Sequence, residues 1–169
     1  PSMTSSVLWD ASVSKSVSSK KLSSKLTLSL HDLESYLSFS DSNNILCFFR
    51  HEPPYVFNLI FHEPIHKRAI NFVGTTPNNL LVTGAADNIL KVFDMNKGFK
   101  VIGELKTTDA VFCGDIYGNV CAAGCGDGNL LCYNLDTMEC AWGYGCEKKG
   151  GIKCVKFVPD KMKIITGGD

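Results

Sequence analysis

The sequence repeats one pattern with a period of about 40 residues. In each copy an apolar run typical of a β-strand ends in an aromatic residue, and a polar residue follows directly. The pairs are Trp9-Asp10, Phe49-Arg50, Phe93-Asp94 and Tyr133-Asn134. The aromatic residues stand at positions 9, 49, 93 and 133, so the steps between them are nearly equal. A fixed period between about 20 and 50 residues indicates a chain built from repeated supersecondary units.

Other segments recur with the same spacing. LLVTGAADN at 80–88 and VCAAGCGDG at 120–128 are one period apart, and KIITGGD at 163–169 begins the same element again. Two further apolar segments recur, one near the start of each period and one after the aromatic pair. Each period therefore holds four short apolar segments separated by turn residues, which predicts an all-β chain of four-stranded antiparallel units.

A period of this length with four strands per unit resembles the WD-repeat family, in which each unit forms one blade of a β-propeller. The clearest period covers 66–105. In the family, a histidine, a Ser or Thr, a turn aspartate and a tryptophan form a buried hydrogen-bonded set. The resemblance places that set at His66, Thr83, Asp87 and Phe93, and it places the acidic partner of the aromatic at Asp94.

The other periods match the family pattern less completely. Phe93 has no indole N–H, so even the clearest set cannot have all its hydrogen bonds. The period 106–145 keeps the turn aspartate but has Ala123 at the Thr position and no histidine near its start. The remaining structural repeat positions are Trp9, Asp10, Asp127 and Tyr133.

The predicted organisation is one domain over 1–169 that forms an incomplete propeller of about four blades. Its parts are a half blade with a Ser/Lys-rich connection at 1–24, repeats at 25–61, 66–105 and 106–145, and a half repeat at 146–169. Propellers of this family often have about seven blades. The resemblance therefore implies that a longer protein or another chain carries the remaining blades. A closed ring of four blades, in which the two halves complete one blade, is the alternative.

Composition limits the classes of partner. The chain has 169 residues, 17 basic and 17 acidic side chains and 44% hydrophobic residues, which is the composition of a soluble globular domain. A net charge of zero argues against nucleic-acid binding. The sequence has no apolar run long enough for a membrane helix and no visible secretory leader, so we expect no membrane insertion.

The eight cysteines lack C-x-x-C pairs. We expect most of them to be free thiols buried in strands, although disulfides or a metal site remain alternatives. Free thiols favour a reducing compartment, the cytoplasm, with the nucleus left open.

Few residues of the sequence suggest a catalytic or ligand-binding site. GCGDGN at 124–129 is followed by a strand and not by a helix, so a hairpin with a type I′ turn at Asp127-Gly128 is expected instead of a phosphate loop. The segment 61–68 is expected to be a loop. It carries a candidate interaction surface made of His62, His66, Lys67 and Arg68. A metal site formed by His51, His62 and His66 is the alternative for this region.

The sequence thus predicts a non-catalytic protein–protein interaction scaffold without a cofactor, a subunit or fragment of a larger WD-repeat protein in a multiprotein complex. The expected partners are other proteins, among them the chain that carries the remaining blades. The alternative is a ligand-binding or enzymatic propeller with a site in its central channel, which would need polar residues converging at the ends of the inner strands.

Overall fold

A computed structural model describes residues 27–31, 36–40, 44–52, 56–145, 150–159 and 163–168. The prediction of an all-β chain is confirmed for these residues: strands dominate them, no α-helix occurs among them, and their helical geometry is short 3₁₀ structure such as the turn at Met95–Lys97. None of their helices is long and apolar enough to cross a membrane. The strands are β1 (Thr27–His31), β2 (Tyr36–Ser40), β3 (Ile45–Glu52), β4 (Val56–Pro64), β5 (Ile70–Thr75), β6 (Leu80–Ala85), β7 (Ile89–Asp94), β8 (Lys100–Lys106), β9 (Val111–Tyr117), β10 (Val120–Cys125), β11 (Asn129–Asn134), β12 (Glu139–Gly145), β13 (Ile152–Val158) and β14 (Lys163–Gly168).

The strands form three four-stranded sheets and one two-stranded sheet, all antiparallel. Sheet A is β1–β4, sheet B is β5–β8, sheet C is β9–β12 and sheet D is the hairpin β13–β14. Within each sheet, consecutive strands are neighbours, so every connection inside a sheet is a local turn. His62 lies within β4 and not in a loop, because β4 continues to Pro64.

The hairpin predicted at 124–129 is present, but its turn is not type I′. A type I′ turn needs positive φ at both central residues, whereas Gly128 has a φ of 86° and Asp127 does not have a positive φ. The amide of Gly128 donates to the carbonyl of Cys125 at 3.2 Å, which closes a three-residue connection with its left-handed residue last. Asn88 takes the same place in the β6–β7 turn, with a φ of 65°.

The sheets stack as a row. The first strand of each sheet lies against the first strand of the next, so that β1 contacts β5, β5 contacts β9 and β9 contacts β13. Apolar side chains fill the spaces between the sheets. We call the A–B contact the first interface, the B–C contact the second and the C–D contact the third.

Strands in the middle of the row are buried on both faces. In β7, Phe93 is 1% exposed and belongs to the first interface, whereas the adjacent Val92 is fully buried in the second. Leu81 and Val82 divide in the same way along β6. Successive side chains of a strand point to opposite faces, so a strand covered on both faces carries apolar residues at adjacent positions. This explains the continuous apolar runs in the sequence.

Two glycines allow the sheets to approach closely. A Cβ added to Gly84 would lie 2.8 Å from a methyl carbon of Val111 in the next sheet. One added to Gly124, at the same place in sheet C, would lie 2.6 Å from a methyl carbon of Ile152. The glycine next to the last residue of β6 and of β10 therefore makes room for the first strand of the following sheet.

The predicted core residues lie as follows. Val92, Phe93 and Tyr133 are buried, and Leu131 is partly buried at the edge of the second interface. The side chains of residues 48–49, also predicted to be core, lie outside the described part of the structure.

We predict that Phe93→Ala lowers the free energy of unfolding by about 3–5 kcal/mol, because it empties a fully buried aromatic position. Urea denaturation of the purified chain measures this change. Val101→Ala is the matched control: Val101 is the cross-strand partner of Phe93 on β8 but is 42% exposed. The control should change stability by no more than about 0.5 kcal/mol. Equal losses in the two variants would contradict the assigned faces.

Candidate functional site

A buried hydrogen-bonded network joins three of the residues that the sequence places at repeat positions. His66 Nε2 lies 2.8 Å from Thr83 Oγ1, and His66 Nδ1 lies 3.1 Å from each carboxylate oxygen of Asp87. Thr83 is fully buried and His66 is 7% exposed. His66 precedes β5, Thr83 lies in β6 and Asp87 lies in the β6–β7 turn, so the network ties three successive elements together.

The geometry sets the direction of the hydrogen bonds. A carboxylate only accepts, so Nδ1–H of His66 donates to Asp87 and Nε2 accepts from the Thr83 hydroxyl. The backbone N–H of Lys67 also donates to Asp87 Oδ2 at 2.9 Å. Burial lowers the pKa of His66 below its ordinary value of 6.5, and the carboxylate of Asp87 opposes that shift. The imidazole is therefore neutral at physiological pH, and it bridges the Thr83 hydroxyl and the Asp87 carboxylate by hydrogen bonds.

Phe93, which the resemblance places at the tryptophan position, packs in the apolar first interface. Its ring packs edge-on against Phe61, with the centroids 6.2 Å apart. A phenyl ring has no donor, so the hydrogen-bonded set consists of His66, Thr83 and Asp87.

The following period uses a different polar contact. Ala123 replaces the threonine and is fully buried. Asp127 accepts hydrogen bonds only locally, from the backbone N–H of Asn129 at 3.1 Å and its side-chain amide at 2.8 Å. The hydroxyl of Tyr133 donates to the carbonyl of Lys106 at 2.7 Å, which fastens β11 to the end of β8 in sheet B. A tyrosine in a buried strand usually finds such a partner, and that is the sequence signal that could have revealed it.

The polar residue after the aromatic ends β7 and β11, whereas β3 continues beyond Arg50 to Glu52. Asp94 Oδ1 accepts from the amide of Asn96 at 3.0 Å, and Lys97 Nζ lies 2.9 Å from Asp94 Oδ2. The ammonium of Lys97 lowers the pKa of Asp94. Asn134 plays the same part in sheet C, where its Oδ1 accepts from the amide of Asp136 at 2.8 Å. The equivalent pair near the start of the chain, Trp9 and Asp10, lies outside the described residues.

The four residues of the candidate interaction surface differ in exposure. Lys67 and Arg68 are exposed in the connection between β4 and β5, and His62 is exposed on β4. His66 is buried and both of its ring nitrogens are engaged, so it cannot contact a partner. Of the four predicted residues, His62, Lys67 and Arg68 are exposed and His66 is not.

Polar contacts between sheets join residues about one period apart, and the sequence analysis missed them. Asn71 Nδ2 donates to the carbonyl of Val111 at 2.7 Å, between the first strands of sheets B and C. Asp115 accepts from Lys156 Nζ at 2.9 Å and from the backbone N–H of Phe157 at 2.8 Å. These bonds fix how the first strands of neighbouring sheets align.

The described cysteines are free thiols. Four of them, Cys47, Cys121, Cys125 and Cys132, are buried, whereas Cys140 and Cys154 are exposed. Half-buried Cys113 has its pKa raised to about 11, mainly by burial. The eighth cysteine, Cys146, lies outside the described residues.

Among the residues that the structure describes, no three His, Cys, Asp or Glu side chains form a group that could hold a metal ion. No protein-family model matches the sequence.

We predict that Thr83→Val lowers the free energy of unfolding by about 1–3 kcal/mol, because it leaves Nε2 of the buried His66 without its donor. Thr166→Val is the matched control, since Thr166 has the same repeat position in β14 but is exposed. The control should change stability by no more than about 0.5 kcal/mol. A loss in the control as large as that of Thr83→Val would show that the hydroxyl–imidazole bond is not the cause.

We also predict a pH dependence of stability that comes from His66. Its pKa is lowered in the folded chain, so the unfolded chain binds the proton first as the pH falls below about 6.5. The free energy of unfolding should therefore decrease between pH 7.5 and 5.5, by at most about 1.4 kcal/mol per pH unit from this group. His66→Gln should flatten that slope. Urea denaturation at several pH values measures the slopes. Identical slopes in the wild type and His66→Gln would contradict the assignment.

Proposed function

We propose that the chain is part of a WD-repeat-type β-propeller and serves as a non-catalytic scaffold for protein–protein interaction. The observation that carries the proposal is the stack of four-stranded meanders in contact through their first strands, with a His–Thr–Asp network in the clearest repeat. A radial arrangement of such sheets around a common axis is the propeller architecture.

The recurrence of equivalent contacts supports the propeller arrangement. Gly84 and Gly124 hold the same place at consecutive interfaces, and each allows the following first strand to approach. Asn88 and Gly128 adopt the same left-handed conformation after equivalent turns. Such agreement at successive interfaces is expected when one step of rotation and translation relates each sheet to the next.

The distribution of polar groups supports a scaffold and not a catalyst. The hydroxyl, imidazole and carboxylate of the His66 network are buried and hydrogen-bonded to one another, so they stabilise the repeat. Cys121, a potential nucleophile, is fully buried, and burial raises its pKa far above physiological pH. A reducing intracellular compartment, the cytoplasm, suits a chain with this many free thiols.

The recognition surface that we propose is the connection that carries Lys67 and Arg68. The backbone of Lys67 is held by Asp87, which belongs to the buried network, whereas its side chain is exposed. A short loop fixed at its base and charged at its tip is suited to bind an acidic surface of another protein.

The test is binding by the purified chain. A protein captured from a cytosolic extract would be purified and titrated against the wild type and against the double variant Lys67→Glu/Arg68→Glu. We expect at least about tenfold weaker binding by the double variant, roughly 1.4 kcal/mol, and an effect that diminishes at high salt. The control is Lys100→Glu, a charge reversal at an exposed residue of β8, which should bind normally. The proposal fails if the chain retains no protein, or if all variants bind with equal affinity.

A further inference from the structure

Four connections meet at one end of sheets B and C, and hydrogen bonds join each of them to the next. The backbone N–H of Lys67 binds the β4–β5 connection to the β6–β7 turn. The backbone N–H of Thr107 donates to the carbonyl of Asn88 at 3.0 Å, which joins that turn to the β8–β9 connection. The backbone N–H of Gly126 donates to the carbonyl of Ala110 at 2.8 Å, which adds the β10–β11 turn. We call this continuous surface the turn end.

Sheet B gives its part of the turn end a positive charge. Lys67 and Arg68 are exposed in the β4–β5 connection, and Lys106 is exposed at the end of β8. The acidic side chain in the β6–β7 turn, Asp87, is only 7% exposed, and both of its oxygens lie 3.1 Å from Nδ1 of His66. The cations therefore dominate the charge that a partner meets over sheet B.

Sheet C gives its part of the turn end a negative charge. Asp109 takes the place that Arg68 has one period earlier, and Asp127 takes the place of Asp87. This period contains no histidine, and Asp127 is exposed. A Cβ on Gly126 would lie 3.0 Å from a carboxylate oxygen of Asp109, so both carboxylates lie at the β10–β11 turn. None of the described cations forms an ion pair with either of them.

The two charged parts are fixed relative to each other. Stacked sheets lie about 10 Å apart, so the cations and the carboxylates are separated by roughly one sheet spacing. The side-chain amide of Asn129 donates to Thr108 Oγ1 at 3.1 Å, which holds the β8–β9 connection against the β10–β11 turn. Lys91 and Glu104, which lie towards the same end of sheet B, are 2.9 Å apart and add no net charge. The turn end is therefore a rigid surface with opposite charges side by side.

A second copy of the chain carries the surface that fits this arrangement. When a two-fold axis relates two copies, the same patch of each copy contacts that of the other, and every contact occurs twice. With the axis between the two charged parts, the cations of each copy face the carboxylates of the other. The chain has 17 basic and 17 acidic side chains, so net charge does not drive two copies apart. Any other protein needs the same two charges at the same spacing, whereas a copy has them by construction.

We propose that two copies of this chain associate through their turn ends, with Lys67 and Arg68 of each copy bound to Asp109 and Asp127 of the other. The proposal deepens the proposed function, because it names a partner for the same two cations and rests on their being a recognition surface. Exposed ion pairs set orientation and salt dependence more than they raise affinity. The association is therefore reversible and sensitive to salt.

The experiment is sedimentation velocity on the purified chain over a range of micromolar concentrations. We expect a monomer–dimer equilibrium whose dissociation constant rises at least about tenfold from about 0.05 to 0.5 M salt. Lys67→Glu/Arg68→Glu and Asp109→Lys/Asp127→Lys should each be monomeric, because each reversal places like charges against one another at both contacts. An equimolar mixture of these two variants should form a heterodimer, since one is then acidic over both sheets and the other is basic over both.

Two further variants separate charge from folding and from position. Asp109→Asn/Asp127→Asn removes both charges but keeps side-chain oxygens that can accept the hydrogen bonds of Asn129. It should weaken the dimer about tenfold, with an unchanged circular dichroism spectrum. Lys100→Glu/Glu139→Lys is the matched control, because it reverses one exposed cation and one exposed carboxylate at the opposite end of sheets B and C. The control should leave the dimer intact.

The outcomes distinguish this proposal from the proposed function. A wild type that stays monomeric at low salt, a dimer that both charge reversals leave intact, or a mixture without a heterodimer would overturn the proposal. A monomer that binds a captured protein through Lys67 and Arg68 would overturn the dimer alone. A dimer that retains no other protein would overturn the scaffold function alone.

Discussion

The central strands of these sheets are apolar on both faces, and the rest of the structure follows from that constraint. A sheet with two apolar faces cannot stand alone in water, since each face would expose the residues that now fill an interface. Stacking in a row is the arrangement that covers both faces of sheets B and C with the same elements repeated. Among the described residues, Ile165 of sheet D and Trp142 and Tyr144 of sheet C are large apolar side chains that remain exposed.

Hydrogen bonds of polar side chains fix how the strands and the apolar sheets are positioned relative to one another. The His66 network fastens the start of sheet B to β6 and to the β6–β7 turn of the same sheet, whereas Asp115 and Tyr133 each reach a neighbouring sheet. Sheet C lacks the histidine and threonine, yet Tyr133 supplies a donor that reaches the preceding sheet. The stability of the sheets comes mainly from the burial of apolar side chains, and different polar contacts can align them. The repeats can therefore differ at the histidine and threonine positions on which the resemblance rests.

The sequence predicted the strands well and the contacts between sheets poorly, for a physical reason. Alternation and continuity of apolar residues report burial directly, so the four strands of the clear periods and the burial of Phe93 followed from the pattern. The bond from Asp115 to Lys156 did not, because it depends on which strands come together after folding. His66 was assigned both to a network and to a recognition loop, and only its burial separates the two roles. The left-handed residue of the β10–β11 turn was expected, but the number of such residues depends on how the connection is closed.

The central claim is that sheets B and C are stable only as one body, since each supplies a face of the second interface. Native-state hydrogen exchange of the backbone amides tests this claim most directly. The account predicts that the slowest amides of β6 and β10 exchange with the same opening free energy, equal to that of global unfolding, and that both fall together in Phe72→Ala, which opens the interface between them. Opening of β6 and β10 at clearly different free energies, with only one of them affected by Phe72→Ala, would contradict the account.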